Sequence, residues 1–252
     1  MEYTRLSDSV NIKTVSESGN EGVFEIEGLY TGYGLTLGNA LRRCLLSSLP
    51  GAAITQVKIR GVDHEFSTIA GVKEDVVQIG LNLRKIRFRF YAAEPQVLLL
   101  KVKGDAKVTA GDIAANADVL VANPDAPVAT LTGKNSELEM ELTVEKGLGY
   151  SPVEARKMEK LPIKTIALDA VFTPVTKVNF VVENMRVGER TDYNRLKLVL
   201  STDGTISPSS ALHKAANIMK DHFDRVSTIH VKELEPAPAE EKEVKKGRKK
   251  AK

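Results

Sequence analysis

The chain has 252 residues, 42% of them hydrophobic, which is enough for one large domain or two modest ones with a packed core. We expect neither a transmembrane nor a secreted protein, because no apolar run is long enough to span a bilayer and no apolar segment follows the start. The formal charge of +3 lies in residues 235–252, where seven Lys or Arg outnumber four Glu, so the rest of the chain lacks the net basic charge typical of nucleic-acid binding.

Residues 36–49 are predicted to form the first helix. Gly32-Tyr33-Gly34 shapes its beginning, Thr36 is positioned to cap its free amides, and Pro50-Gly51 ends it. One stripe of this helix has the pattern of a face that packs on a core, and it consists of Leu37, Ala40, Leu41, Cys44, Leu45 and Ser48.

The opposite face of the first helix carries Leu46 with Asn39, Arg42 and Arg43. An exposed leucine framed by arginines is typical of the centre of a protein contact. Single exposed leucines and solvated arginines are also ordinary on surfaces, so periodicity alone leaves both interpretations open.

Alternating apolar positions predict strands at residues 24–26, 57–59, 86–90, 138–144, 178–182 and 196–200. Arg87 and Arg89 alternate on the polar face of one strand, and Glu137, Glu139 and Glu141 on that of another. We expect these two rows to face each other across a sheet as a structural feature rather than a catalytic one.

A second helix is predicted after Ser207-Pro208, which supply a cap and a first-turn proline. Its apolar stripe includes Leu212, Ala215, Ala216, Met219, Phe223 and Val226, and Ile218 and His222 widen it. Such a broad stripe suits packing on its own sheet and also on a partner, and periodicity does not separate the two.

The sequence predicts no catalytic residue, metal site or cofactor on this chain. The histidines have no metal-ligand spacing, and the glycines match neither a P-loop nor a dinucleotide-binding turn. The single cysteine, Cys44, excludes an internal disulfide framework and is expected to be a small core residue. These observations favour a binding or assembly protein over a self-sufficient enzyme.

Residues 235–252 are predicted to be a disordered charged tail, because they contain few apolar residues to bury. A solvated tail is the simpler interpretation. A weak, salt-sensitive contact with nucleic acid through its lysines stays open.

Several of these segments together closely resemble the bacterial-type RNA polymerase alpha subunit family. The resemblance begins with the Gly-aromatic-Gly turn, Thr-Leu-Gly-Asn-Ala-Leu-Arg-Arg and Leu-Leu-Ser-Ser-x-Pro-Gly between residues 32 and 51. It continues at residues 61–68, 71–75, 81–84, 147–150, 169–175 and 189–193, and covers roughly residues 5 to 230.

The resemblance implies a two-domain α+β protein. A discontinuous dimerisation domain of sheet and two helices would comprise residues 1–50 and 168–234, with an inserted, mainly β domain at residues 51–167 and the charged tail at 235–252. Family members commonly continue to a second domain that binds promoter DNA. The tail is too short to fold such a domain, so contact with promoter DNA of that kind is not expected, and a truncated sequence is an open alternative.

Contact residues are also implied by the resemblance. The beta subunit would be contacted by Arg43, Leu46 and Arg84, and the beta-prime subunit by Leu168, Val175 and Arg195. The interface of a homodimer would include Tyr33, Leu37, Leu41, Leu45, Leu212, Met219 and Phe223.

The function implied is that of the alpha subunit of DNA-directed RNA polymerase, a nucleotidyltransferase. A homodimeric, non-catalytic scaffold would nucleate assembly of the beta and beta-prime subunits, with omega and sigma in the holoenzyme. It would meet DNA through the complex, with no membrane partner, in a bacterial cytoplasm or nucleoid rather than a plastid. The alternative is a free-standing dimeric adaptor or transcription regulator on the same fold.

Overall fold

A computed structural model of the chain describes residues 9–114, 116–156, 162 and 164–230, and the predicted charged tail at 235–252 lies outside these residues. The helices in this range are α1 (Tyr33–Ser47), α2 (Val76–Leu83) and α3 (Pro208–Val226). The strands are β1 (Asn11–Ser18), β2 (Glu21–Leu29), β3 (Pro50–Ile59), β4 (Phe88–Phe90), β5 (Gln96–Lys103), β6 (Ala106–Thr109), β7 (Val119–Val121), β8 (Pro127–Leu131), β9 (Glu137–Leu148), β10 (Tyr150–Ser151), β11 (Thr165–Ala167), β12 (Ala170–Val171), β13 (Val175–Val187) and β14 (Arg190–Thr202).

The two ends of the described chain form one sheet, which we call the platform together with α1 and α3. Its strand order is β1-β2-β14-β13, and every neighbouring pair is antiparallel. Leu198 of β14 lies opposite Phe24 of β2 on one side and Phe180 of β13 on the other. The alternation of buried and exposed residues along β14 follows from one face packing on the helices.

Helix α1 approaches the platform sheet closely because two glycines, four residues apart, lie at the contact. A Cβ added to Gly38 would lie 2.7 Å from the ring of Phe180, and one added to Gly34 would lie 2.7 Å from Cγ1 of Val182. Real carbon atoms do not approach this closely, so any larger residue would push the helix away.

The middle of the chain forms a second body, which we call the insert body (residues 52–166). Its main sheet has the order β11-β3-β9-β5, and its buried apolar side chains form one core that includes Ile79 and Leu83 from α2 and Met140 from β9. The mixed α+β fold class is confirmed. The domain limits predicted above stay a prediction.

The platform and the insert body meet where α1 ends and β3 begins. Gly51 of β3 pairs with Gly147 of β9, and both glycines lie against Phe172, where a Cβ would collide with its carbonyl oxygen or its ring. The hydroxyl of Thr173 donates to the carbonyl oxygen of Leu46 at 3.0 Å. Three of the motif segments noted in the sequence therefore converge at this junction.

The predicted pairing of the arginine and glutamate rows is wrong. Strand β4, which carries Arg89, pairs with β7 rather than with β9. The glutamates of β9 instead pair with cations in the adjacent strand β5 and in or directly after β3, through contacts such as Lys103 to Glu137 and Arg60 to Glu139, at 3.1 and 3.0 Å. Alternation identified the polar faces, but it does not say which strands are neighbours.

The predicted limits of α1 also need correction. The helix begins at Tyr33 rather than at Thr36, and the N-cap is Gly32, whose φ of 87° is left-handed and favours glycine. Thr36 instead donates its hydroxyl to the carbonyl of Gly32 inside the first turn. Helix α3 begins as predicted, with Ser207 accepting the N–H of Ser210 and Pro208 in the first turn.

Candidate subunit-assembly surfaces

The part of α3 up to Met219 packs on the platform, whereas its last residues lie open to solvent in a single copy of the described chain. Ala211 and Ala215 are fully buried, but residues 221–230 are all exposed. This exposed stretch includes three large apolar side chains: Phe223, of which 65% is exposed, Val226 and Ile229. Apolar side chains grouped in this way are typical of a surface that another protein covers.

Three of the predicted dimer-interface residues lie on α3. Leu212 and Met219 are half-buried against the platform core, and Phe223 is exposed. On α1, Tyr33 is exposed and Leu37 is half-buried. These five residues retain surface that a second copy can contact.

Leu45 and Leu41 differ from the other residues predicted for the dimer interface, because both are buried in one copy of the chain. Leu45 has no exposed surface, and Leu41 has only 6%, because both pack into the platform core of their own copy. Periodicity placed them on the apolar stripe but did not distinguish a face that covers the sheet from one that meets another chain. Leu45 can therefore contribute to an interface only by packing behind the residues that form it.

The opposite face of α1 differs from the sequence-based expectation in one respect. Arg42 and Arg43 are exposed, as expected, but Leu46 is half-buried and packs against the platform core. The backbone carbonyls of Leu46 and Arg43 accept hydrogen bonds from the hydroxyls of Thr173 and Ser47. The face is thus a fixed helical surface with two exposed arginines beside a partly accessible leucine.

Arg84 and Leu168, which the resemblance assigns to two different partners, lie in one groove between α2 of the insert body and residues 166–169. The groove encloses about 310 Å³. Its apolar wall includes Leu81 and Phe66, whose side chain is 79% exposed. Sequence reasoning missed these two residues, although Val77 and Leu81 have the four-residue spacing of an exposed apolar helix face.

Asp169 fixes one end of this groove. Its carboxylate lies 3.5 Å from the guanidinium of Arg84 and accepts the N–H of Val153 at 3.0 Å and the hydroxyl of Tyr150 at 3.1 Å. The pKa of Asp169 is lowered, chiefly by the hydrogen bond from Val153. The hydrogen bond from Tyr150 and the charge of Arg84 lower it further. Burial and the same carboxylate raise the pKa of Tyr150. Arg84 is therefore held in position by an ionised partner.

The other two residues predicted to contact the beta-prime subunit lie in different surroundings. Val175 is only 2% exposed and packs in the platform core, so it has little surface of its own for the contact that stays predicted for it. Arg195 is partly exposed and lies 3.2 Å from Glu27 and 3.9 Å from Glu183. Lys13 and, with a smaller effect, Arg195 lower the pKa of Glu27.

Cys44 is a buried core residue, as predicted, and burial raises the pKa of its thiol. Among the described residues, no group of three or more His, Cys, Asp and Glu side chains is arranged to hold a metal ion. In the same part of the chain, no helix combines the length and apolar character needed to cross a membrane.

Comparison with known proteins gives a family for this chain. Residues 57–173 match the family described as the RNA polymerase Rpb3/RpoA insert domain. The chain is 48% identical over 228 residues to the DNA-directed RNA polymerase subunit alpha of Alkaliphilus oremlandii, an alignment that covers 90% of this chain and 72% of the relative. It is 50% identical over 223 residues to the subunit alpha of Roseiflexus castenholzii, covering 86% of this chain and 68% of the relative.

The alignments extend over parts of both the platform and the insert body, since they include most of the chain. A third relative, the DNA-directed RNA polymerase subunit alpha of Clostridium botulinum, is 50% identical over 208 residues, with 82% of this chain and 66% of the relative covered. The chain therefore belongs to the family of bacterial DNA-directed RNA polymerase alpha subunits, and its role is in transcription as a subunit of that polymerase.

Proposed function

We propose that the chain acts as a homodimeric scaffold on which the beta and beta-prime subunits of the polymerase assemble, with omega and sigma in the holoenzyme. In this role it binds protein surfaces and positions them. The chemistry of nucleotidyl transfer takes place on the large subunits, and DNA is met through the complex.

The observation that carries the proposal is the exposed stretch at residues 221–230, which includes the end of α3. The apolar residues Phe223, Val226 and Ile229 of this stretch are exposed, whereas the preceding part of α3 packs in the platform core. Leaving three such side chains in water costs about 1.5–3 kcal/mol each relative to burial. A second copy of the chain, packing against α3, Tyr33 and the accessible part of Leu37, would cover them.

The scaffold would then have two further surfaces for the large subunits. The α1 face with Arg43 and Leu46 is proposed for the beta subunit, because exposed guanidinium groups beside an apolar side chain match the anchor residues of protein interfaces. The groove with Arg84 and Leu168 is a second docking surface, and its exposed Phe66 and Leu81 supply the apolar area. Arg195, partly exposed on the interior strand β14 of the platform, is retained as a contact with the beta-prime subunit.

Affinity isolation of the tagged chain from native cells tests this function. We expect the two large polymerase subunits to be recovered with it in a fixed ratio of two copies of this chain to one of each. Recovery of a dimer without either large subunit would contradict the proposal and favour a free-standing adaptor or regulator.

A further inference from the structure

Two arginines of the insert body reach across to the platform. Arg87 lies immediately before β4, and its Nε is 3.6 Å from a carboxylate oxygen of Asp203, while its Nη1 donates to the carbonyl of Val171 at 3.1 Å. Arg89 of β4 donates from Nη2 to the carbonyl of Gly204 at 2.7 Å. Both arginines therefore contact the turn at residues 203–204, which leads into α3.

The platform side of this contact is held firmly. The side chain of Asp203 is only 7% exposed, and its other carboxylate oxygen accepts the N–H and the hydroxyl of Thr205 at 3.0 and 2.5 Å. The N–H of Asp203 donates to the carbonyl of Pro174 at 2.9 Å. The turn is thus fixed both to the start of β13 and to the segment before the cap of α3.

The insert side is held as well. The backbone N–H of Arg87 donates to Oδ1 of Asn123 at 2.7 Å, and the side-chain amide of Asn123 donates to the carbonyl of Lys85. Arg89 lies in β4, which pairs with β7. Because both ends are fixed, the arginines connect two rigid bodies, and their hydrogen bonds depend on the angle between those bodies.

We propose that Arg87 and Arg89 form a clamp that sets the orientation of the insert body on the platform. This inference rests on the proposed scaffold function. Arg84 precedes Arg87 by only three residues, so the clamp also fixes the groove around Arg84 relative to the α1 face with Arg43. The clamp residues are positioning residues, since they hold the two docking surfaces in one geometry for the large subunits.

The distance between one spin label on each body tests the clamp in the full chain. Labels on Lys107→Cys in β6 and Lys177→Cys in β13 use exposed positions, whereas Cys44 is buried and is not labelled. Mixing with excess unlabelled copies restricts the measured distances to those within one chain. We expect a narrow distribution for the parent chain and a broader, shifted one for the Arg87→Ala, Arg89→Ala double variant.

The Arg60→Ala variant is the matched control, because Arg60 pairs with Glu139 inside the insert body and does not reach the platform. It should leave the distance distribution unchanged. If the double variant fails to fold, Asp203→Asn serves instead, since it removes the charge that faces Arg87 but keeps an acceptor for Thr205. A distribution identical to the parent's in a folded clamp variant would overturn the inference.

Capture of the large subunits gives a second readout. If only about a tenth of the variant molecules hold the competent orientation, their apparent affinity falls roughly tenfold. If the parent chain itself captures no large subunit, the proposed scaffold function fails. The distance measurement on the isolated dimer still decides whether the clamp exists.

Discussion

Oδ1 of Asn194 accepts the backbone N–H of Gly32 at 2.9 Å, so a side chain from β14 caps the beginning of α1. The same oxygen lies 3.4 Å from the N–H of Gly34. Asn194 is 7% exposed, and its amide nitrogen donates to Asn184. The helix with the candidate beta-subunit contacts is therefore positioned by a residue far away in the sequence.

Replacing this cap should destabilise the platform. We expect Asn194→Ala to lower the free energy of unfolding by about 1–3 kcal/mol, because it leaves the N–H groups of Gly32 and of the buried Gly34 without this acceptor. Urea unfolding followed by circular dichroism measures the change. Asn179→Ala, an exposed asparagine of β13, should change it by less than about 0.5 kcal/mol. Equal losses in both variants would argue against the cap.

Gly38→Ala should also destabilise the chain, although alanine is the better helix former by about 1 kcal/mol. The added methyl group would lie 2.7 Å from the ring of Phe180, and such overpacking costs about 1–3 kcal/mol. Thermal unfolding measures the effect, and Asn39→Ala, on the exposed face of α1, should be neutral or slightly stabilising. Adding Phe180→Leu to Gly38→Ala should recover part of the loss. A Gly38→Ala chain that unfolds at a higher temperature than the parent would refute close packing at this site.

The sequence predicts which segments form strands better than it predicts which strands pair with each other. All six predicted strands are present, at least in part, because alternation reports which residues of a strand are buried. The pairing of Arg87 with Asp203 instead of with the glutamates of β9 depends on strand order, which alternation does not encode. The cap by Asn194 was missed for the same reason, since nothing local connects it with Gly32.

Burial separated the contact residues that periodicity treated alike. Leu45 and Phe223 both lie on apolar stripes with helical periodicity, yet Leu45 is fully buried and Phe223 is mostly exposed. Val175 shows the same limit, because a valine at the start of an amphipathic strand has an even chance of facing the core. Only the three-dimensional arrangement decides which apolar residues are left for partners.

The ion pair between Arg190 and Asp192 is expected to make the stability of the fold depend on pH in the acidic range. Arg190, placed 5.1 and 5.3 Å from the rings of Tyr30 and Tyr193, forms an ion pair with Asp192 at 2.7 Å, and the hydroxyl of Thr31 donates to the same carboxylate. These hydrogen bonds lower the pKa of Asp192 from 3.8 to about 2. A pKa that is lower in the folded state than in the unfolded state stabilises the fold at any pH above the unfolded-state pKa. This contribution is lost as the pH falls through the folded-state pKa.

We therefore expect Asp192→Asn to be less stable than the parent at neutral pH, with a difference that shrinks from about pH 4 downwards and vanishes near pH 2. Urea midpoints of both chains across this range measure it. A difference that stays constant from pH 7 to pH 2 would show that the charge of Asp192 does not contribute.

Phe223→Glu should convert the dimer into monomers. Residues 221–230 are all exposed in one copy, so the substitution should leave the fold of that copy intact, whereas a carboxylate cannot be buried in an apolar contact without a partner. Light scattering gives the mass, and circular dichroism checks the fold. Lys220→Glu, on the same helix, should remain dimeric. A folded Phe223→Glu chain with the mass of a dimer would place the interface elsewhere.

The most direct test of the scaffold function is capture of the purified beta subunit by the full chain, with Arg43→Ala compared with the neighbouring Arg42→Ala. We predict that the parent and Arg42→Ala bind the beta subunit, whereas Arg43→Ala stays dimeric and loses about 2 kcal/mol or more of binding free energy. Equal binding by all three chains would mean that the α1 face is not the contact, and no binding by the parent chain would contradict the account as a whole.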